Sequence, residues 1–261
     1  LSSTVSIPQV LQASEITFLV YGALLSEASS RLTFPDLQDF RLVRVHGWRR
    51  VFAHPHLFLL NYPHTKLVDG LCLASLSVEP DPSSSFVAAA FRVQLSDAQR
   101  QAFVERERGY DFVAIPYYDL HLPTPPPADM PVESTSATST TSTTSTTIPP
   151  PPSSSPPLGM GVICTQSTDE QQKELVAQLP STLPYQSIWA WPMDSGLLPA
   201  DLYLRHCLLA VEKAHLVESF CQDTYLADRR TTLQDYLQDP NVYERVMNTR
   251  PPPELATRFG G

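Results

Sequence analysis

Ile16-Thr17-Phe18-Leu19-Val20-Tyr21-Gly22-Ala23-Leu24-Leu25 is the stretch on which the fold turns. Five consecutive apolar or β-branched residues, Ile16 to Val20, predict a buried strand. Gly22 breaks it, and the residues from Leu24 to Leu32 suit a short helix. A strand that stops at a glycine and turns straight into a helix leaves backbone N–H groups unpaired. Aided by the helix dipole, such donors bind a carboxylate or an oxyanion. Taken alone, the stretch is more simply an ordinary strand-to-helix corner.

Outward from it, Arg41–Val45 and Val51–Ala53 alternate as strands around a Gly47-Trp48 corner, where Arg49 and Arg50 read as solvated charge. Leu71–Val78 and Phe86–Val93 read as a strand pair joined by a Pro80-Asp81-Pro82-Ser83 loop. Ser96-Asp97-Ala98-Gln99 is a capping box, so a helix is expected from Asp97 to about Glu107, followed by a strand from Tyr110 to Tyr118. Farther on, Gly161–Thr165 and Ser187–Trp191 are expected strands, and Asp169–Leu179, Asp201–Ser219 and Thr231–Leu237 expected helices. Trp189 and Trp191 would then share one strand face, and Cys207 falls on a helical apolar stripe as a buried structural thiol. Short strands, few helices and tight loops predict an α+β domain closed around a sheet or barrel.

The chain has 261 residues and a formal net charge of −9, which argues against a nucleic-acid or anionic-membrane binder. Composition shifts sharply in the middle: residues 123–157 hold 11 of the 26 prolines and 17 Ser or Thr. So little apolar surface cannot offset the entropy of ordering, so a disordered spacer is expected there. No apolar run approaches the ~20 residues needed to span a bilayer. Cys72, Cys164, Cys207 and Cys221 form no CxxC pair, and no secretory leader is legible, so the cytoplasm is the expected compartment. His54-Pro55-His56 has no carboxylate cluster beside it in sequence and reads as a surface turn rather than a metal pair.

Glu105-Arg106-Glu107-Arg108-Gly109-Tyr110 ends the capped helix. Glu107 lies four residues after Phe103, so an inward Phe103 carries Glu107 toward the interior. A partly buried carboxylate has a raised pKa, as a general acid or base near neutrality needs. Read alone, the run is more simply a solvated charge run at a helix C-terminus.

In combination, these stretches resemble the γ-glutamylcyclotransferase-like family. That family carries a YGSL-type loop, an L-x-G-W/Y-R-R-x-F-type stretch and an R-E-x-x-Y-type segment. This chain has Tyr21-Gly22-Ala23-Leu24-Leu25, Val45-His46-Gly47-Trp48-Arg49-Arg50-Val51-Phe52 and Arg106-Glu107-Arg108-Gly109-Tyr110 in the same order. The resemblance covers about residues 15–118, and more loosely Tyr203–Cys207 and Asp223–Asp228, which look like the C-terminal extension of one branch.

The resemblance implies a mixed sheet closing into a small barrel with flanking helices. Its domain would span residues 14–121 and 158–195, interrupted by a disordered insertion at 122–157 and followed by a helical extension at 196–250. It also implies cyclisation of a γ-glutamyl group to 5-oxoproline, with release of an amine, amino acid or peptide. Glu107 would be the general acid/base. Tyr21, Gly22, Ala23, Leu24 and Leu25 would bind substrate, and Tyr110 would line the pocket or pack beside Glu107. No metal or organic cofactor is expected, and a small γ-glutamyl compound is the expected partner. Ala23 stands where the family usually has serine, which removes a hydroxyl worth ~1.5–3 kcal/mol against a charged group. The alternative is a weak or silent ligand-binding module of the same fold.

Overall fold

The computed structural model describes residues 6–60, 71–120 and 156–259. β1 (Ile16–Val20) is followed by α1 (Glu27–Thr33), β2 (Gln38–Pro55) and the single turn α2 (Leu57–Leu60). Next come β3 (Cys72–Val93), α3 (Asp97–Arg106), β4 (Asp111–Asp119) and β5 (Gly159–Thr165). The remainder holds α4 (Lys173–Val176), β6 (Leu198–Pro199), α5 (Asp201–Lys213), α6 (Val217–Gln222) and β7 (Thr224–Leu226). It ends with α7 (Leu233–Leu237), α8 (Pro240–Asn248) and α9 (Ala256–Phe259).

Strand pairing makes a closed circuit, β3-β1-β5-β4-β2 and back to β3. β1 runs antiparallel to β3, from Ile16 opposite Val93 to Val20 opposite Ala89, and parallel to β5 at Phe18 and Val162. β5 and β4 pair antiparallel from Asp111–Thr165 to Tyr117–Gly159. β2 touches β4 at Val43 and Arg44 and closes against β3. The protein is therefore an α+β fold around a mixed barrel, as the sequence predicts. Closure satisfies the backbone groups that sheet edges would leave open.

β2 and β3 are longer than the barrel requires, and their outer halves form a ribbon. Each half has a taker: β6 adds to β3 beside Cys72, and β7 adds to β2 from Arg50 to Phe52. The two faces of β3 alternate as a strand must. Phe86, Ala88 and Ala90 enter the main core with Leu19, Val43, Val45, Ile115 and Ile163. Phe91 and Val93 face a second cluster with Phe18, Phe34 and Phe103 beneath α1 and α3. Leu204, Cys207, Val211, Phe220, Leu233 and Val246 of the C-terminal helices belong to the main core as well.

Several local expectations need correction. β3 is one strand from Cys72 to Val93 rather than a pair, with an irregularity in the middle: His46 stands opposite Ser85 and Trp48 opposite Pro80, so Asp81–Ser84 bulge out unpaired across from Gly47. Gly47, at φ +79°, makes that irregularity inside a single β2 rather than between two strands. Arg50 is not solvated. It is fully buried, with its guanidinium 4.5 Å from the Phe220 ring and Nη1 donating to the Val87 carbonyl at 3.1 Å. Burial lowers its pKa to about 10, which leaves it charged. Arg49 pairs with Glu79 at 2.6 Å.

Ser187–Trp191 is a loop, because Asp169 takes the Ile188 and Trp189 N–H groups at 2.9 Å each, in place of a neighbouring strand. Asp169 itself thus stands outside a helix, and the helix expected from it shrinks to α4. The helix expected over Asp201–Ser219 breaks after α5, where His215 takes φ +57°. The insertion expected at 122–157 lies outside the described residues except at its last two positions.

Candidate active site

The chain between β1 and α1 holds the first part of the site. Ser26 caps α1, accepting from the Ser29 N–H at 3.1 Å, so the helix begins at Glu27 and its dipole is not applied at Gly22 as expected. What remains is a tight loop closed by the Leu25 N–H on the Gly22 carbonyl at 2.9 Å. The Ala23 N–H is directed at Cys207 Sγ. Among the described residues, the N–H groups of Gly22 and Leu24 have no protein acceptor.

α3 supplies the second part. Its capping box forms as read, with Ser96 and Gln99 bonding reciprocally. Phe103 packs inward, its ring centroid 4.8 Å from that of Phe18. One turn later Glu107 closes the helix, its N–H on the Phe103 carbonyl at 3.0 Å. Gly109 then takes φ +100°, a conformation open to glycine, and turns the chain into β4 with Tyr110 facing the same way.

The two parts line one cavity of about 180 Å³, to which Tyr21, Gly22, Ala23, Leu24, Glu107 and Tyr110 all contribute. Leu25 does not. Its side chain is fully buried in the main core, and its N–H is spent inside the loop.

Glu107 is mostly withdrawn from solvent, and burial raises its carboxyl pKa above the usual value. Arg106 and Arg258 oppose that rise, and Arg106 Nε lies 3.1 Å from Glu107 Oε1. Arg106 also donates to Thr33 Oγ1 at 3.0 Å, which anchors its head. The carboxylate thus has one fixed partner and one oxygen left for the cavity.

Tyr110 Oη donates to the Leu76 carbonyl at 2.9 Å, and sits 3.2 Å from Ser75 Oγ and 3.0 Å from His54 Nε2. With the phenol proton committed to Leu76, His54 Nε2 is the donor in that contact. Its other ring nitrogen, Nδ1, is buried without a partner. Burial pushes the Tyr110 phenol far up, so it acts as a hydrogen-bonding wall rather than a proton source. Burial also drops His54 and His56 to about 3 and His206 to about 4, which leaves all three neutral at pH 7.

Several cavity residues were not legible as such. His54 and His56 are buried, correcting the surface-turn reading; as i, i+2 neighbours at the end of β2 they face the same cavity. Trp189 lies flat on His54 with centroids 4.2 Å apart and donates from Nε1 to the Gly109 carbonyl at 2.9 Å. Tyr203 and His206, at helical i, i+3 spacing on α5, complete another wall, and their spacing was the available signal. Arg258 and Phe259 close the cavity from α9, with no local signal at all. Among the described residues, no group of three or more His, Cys, Asp or Glu is arranged to hold a metal ion. No helix among them is long and apolar enough to cross a membrane.

No protein-family model matches the chain, and no curated protein matches it. Among solved structures, an uncharacterized human protein is similar at 12% identity and TM-score 0.32, over 41% of this chain and 60% of its own. A protein described as gamma-glutamyl cyclotransferase is similar at 12% identity and TM-score 0.31, over 41% of this chain and 59% of its own. A yeast gamma-glutamyl cyclotransferase specific to glutathione is similar at 12% identity and TM-score 0.40, over 81% of this chain and 98% of its own. The chain thus spans about 60% of the length of the first two. All three superpositions are loose.

Proposed function

We propose that the cavity cyclises γ-glutamyl compounds to 5-oxoproline. The observation that carries this reading is a mostly withdrawn carboxylate of raised pKa, Glu107, on the wall of a small cavity also lined by Gly22 and Leu24, whose N–H groups have no acceptor among the described residues. The reaction is intramolecular, so its main demand is a folded-back substrate held in place, and a tight cavity meets that demand. Glu107 accepts a proton from the substrate α-ammonium, freeing the amine. The amine nitrogen forms a bond to the δ-carbonyl carbon, and the loop N–H groups receive the charge that develops on the carbonyl oxygen. The carbon–nitrogen bond to the departing half then breaks as Glu107 returns its proton to that leaving nitrogen, and the second proton of the ring-forming nitrogen follows the same route, leaving a lactam N–H and a departing ammonium. Atoms and charge balance without an oxidant, a metal or water.

Neutral His54 and high-pKa Tyr110 fit the role of positioning groups, because neither exchanges protons near neutrality. One observation favours the second reading, a binding module. Ala23 offers only a methyl and an N–H already turned to sulfur, so the loop holds substrate through two donors alone. The test is release of 5-oxoproline from γ-glutamyl dipeptides, glutathione and γ-glutamylamines by the purified full chain. Product from at least one substrate supports cyclisation. Folded protein that binds these compounds and yields no product supports the binding module.

A further inference from the structure

The charge around the cavity is uneven. Of the arginines that line it, Arg108 pairs with Glu105 at 3.3 Å and Arg106 with Glu107 at 3.1 Å. Arg258 has no carboxylate partner among the described residues. Its guanidinium lies instead over the Phe58 ring, 4.1 Å from the centroid, within electrostatic reach of Arg106, Glu107 and Tyr203. A cation on an aromatic face keeps its five donors available while the ring holds its position.

The helix that carries Arg258 is firmly docked. Leu255 and Phe259 are buried with Leu59, Ala200 and Leu202. The Phe259 ring lies 6.0 Å from Phe58, 6.0 Å from His56 and 5.6 Å from His206. Among the described residues, the neighbourhood of Arg258 is therefore an aromatic wall whose positive charge has only Glu107, already paired with Arg106, within reach. The γ-glutamyl half of a substrate carries its own ammonium and carboxylate and so adds no net charge. A carboxylate on the departing half would add the negative charge that this wall lacks.

We infer that Arg258 is a specificity-determining residue that pairs with a carboxylate on the departing half of the substrate, whose apolar body packs against Phe58 and Phe259. This rests on the cyclisation reading for the identity of the ligand. It selects γ-glutamyl amino acids and peptides with a free terminal carboxylate over γ-glutamylamines and amidated peptides, and it makes α9 the element that reads the leaving group.

The test compares γ-glutamylphenylalanine with its C-terminal amide, which has the same shape without the charge. Wild type is expected to favour the acid by about 10- to 100-fold in kcat/KM, the range for a hydrogen bond to a charged group, with the difference mostly in KM. Arg258→Gln, verified as folded by its melting curve, is expected to bring the acid-to-amide ratio close to one. Equal use of acid and amide by wild type, with 5-oxoproline formed, overturns this inference and leaves cyclisation standing. So does a preference that survives in Arg258→Gln. If neither compound is cyclised, the cyclisation reading fails, and calorimetric binding of the same two compounds decides the inference. Acid bound at least 10-fold more tightly, and only with Arg258 present, supports it; equal binding or none overturns it.

Discussion

Glu107 stands between two opposed influences, of which burial is the larger. Burial disfavours the ionised carboxylate, while Arg106 and Arg258 favour it. The net shift is upward, so the folded protein binds the Glu107 proton more tightly than the unfolded chain does. Stability is therefore lost as pH rises from the ordinary carboxylate range through the raised pKa, and the ionised group is a liability at neutral pH. Glu107→Gln keeps the shape and removes the charge. It is expected to melt no lower than wild type at pH 7.5, with any advantage shrinking toward pH 4.5, as followed by thermal denaturation. A variant less stable by the same margin at both pH values would show that the Arg106 pair outweighs burial. Arg258 acts at the same scale, as a cation whose partner the substrate brings.

The α3–β4 junction is the element that presents the site. Glu107 and Tyr110 face the cavity together because Gly109 bends the chain at φ +100°, and a Cβ there would lie 2.8 Å from Leu57 Cδ1. Gly109→Ala is expected to cost about 1–3 kcal/mol, the usual scale for a strained backbone residue, and to disturb the Trp189 contact on the Gly109 carbonyl. Chemical denaturation and Trp fluorescence check it. Gly47→Ala, also at positive φ but with open space around it, tests strain without a clash and is expected to cost less.

This junction was largely legible in the sequence. The capping box, the Phe103–Glu107 spacing and the glycine are all local signals, and so is the strand-then-glycine pattern of Ile16 to Gly22. The failures share the opposite character. Asp169 captures the N–H groups of Ile188 and Trp189 from 19 and 20 residues away, which alternation within Ser187–Trp191 does not reveal. Pro80 sits inside β3 because the strand resumes pairing with β2 on both sides of the bulge at Asp81–Ser84, and Arg50 is buried because Phe220 and Val87 arrive from distant elements.

Across the whole molecule, barrel and C-terminal helices share one core, with Phe220, Leu233 and Val246 packed among the barrel strands' residues. The cavity lies where the two meet, walled by β1, β2 and α3 on one side and by α5 and α9 on the other. Arg258 could not be read as a site residue because it reaches the cavity only through this packing, about 150 positions after Glu107 in the chain. Burying three histidines in that wall has a global consequence. His54 and His56, near 3, and His206, near 4, stay neutral in the folded protein while the unfolded chain protonates them below pH ~6.5. Their contribution is complete above that pH and is lost as pH falls toward 4. Each histidine is expected to withdraw about 2 kcal/mol between pH 7 and pH 5. Melting temperatures across that range should fall steeply for wild type and less so for His206→Gln; parallel curves would contradict this.

The most direct measurement is 5-oxoproline release by wild type beside Glu107→Gln, with both proteins shown to be folded and to bind the same γ-glutamyl substrate. The account predicts product from wild type and a loss of at least about 100-fold in the variant, the lower bound for removing a general acid/base, with binding retained. Equal turnover by the two proteins would contradict it, because the proton would then have a route that does not pass through Glu107.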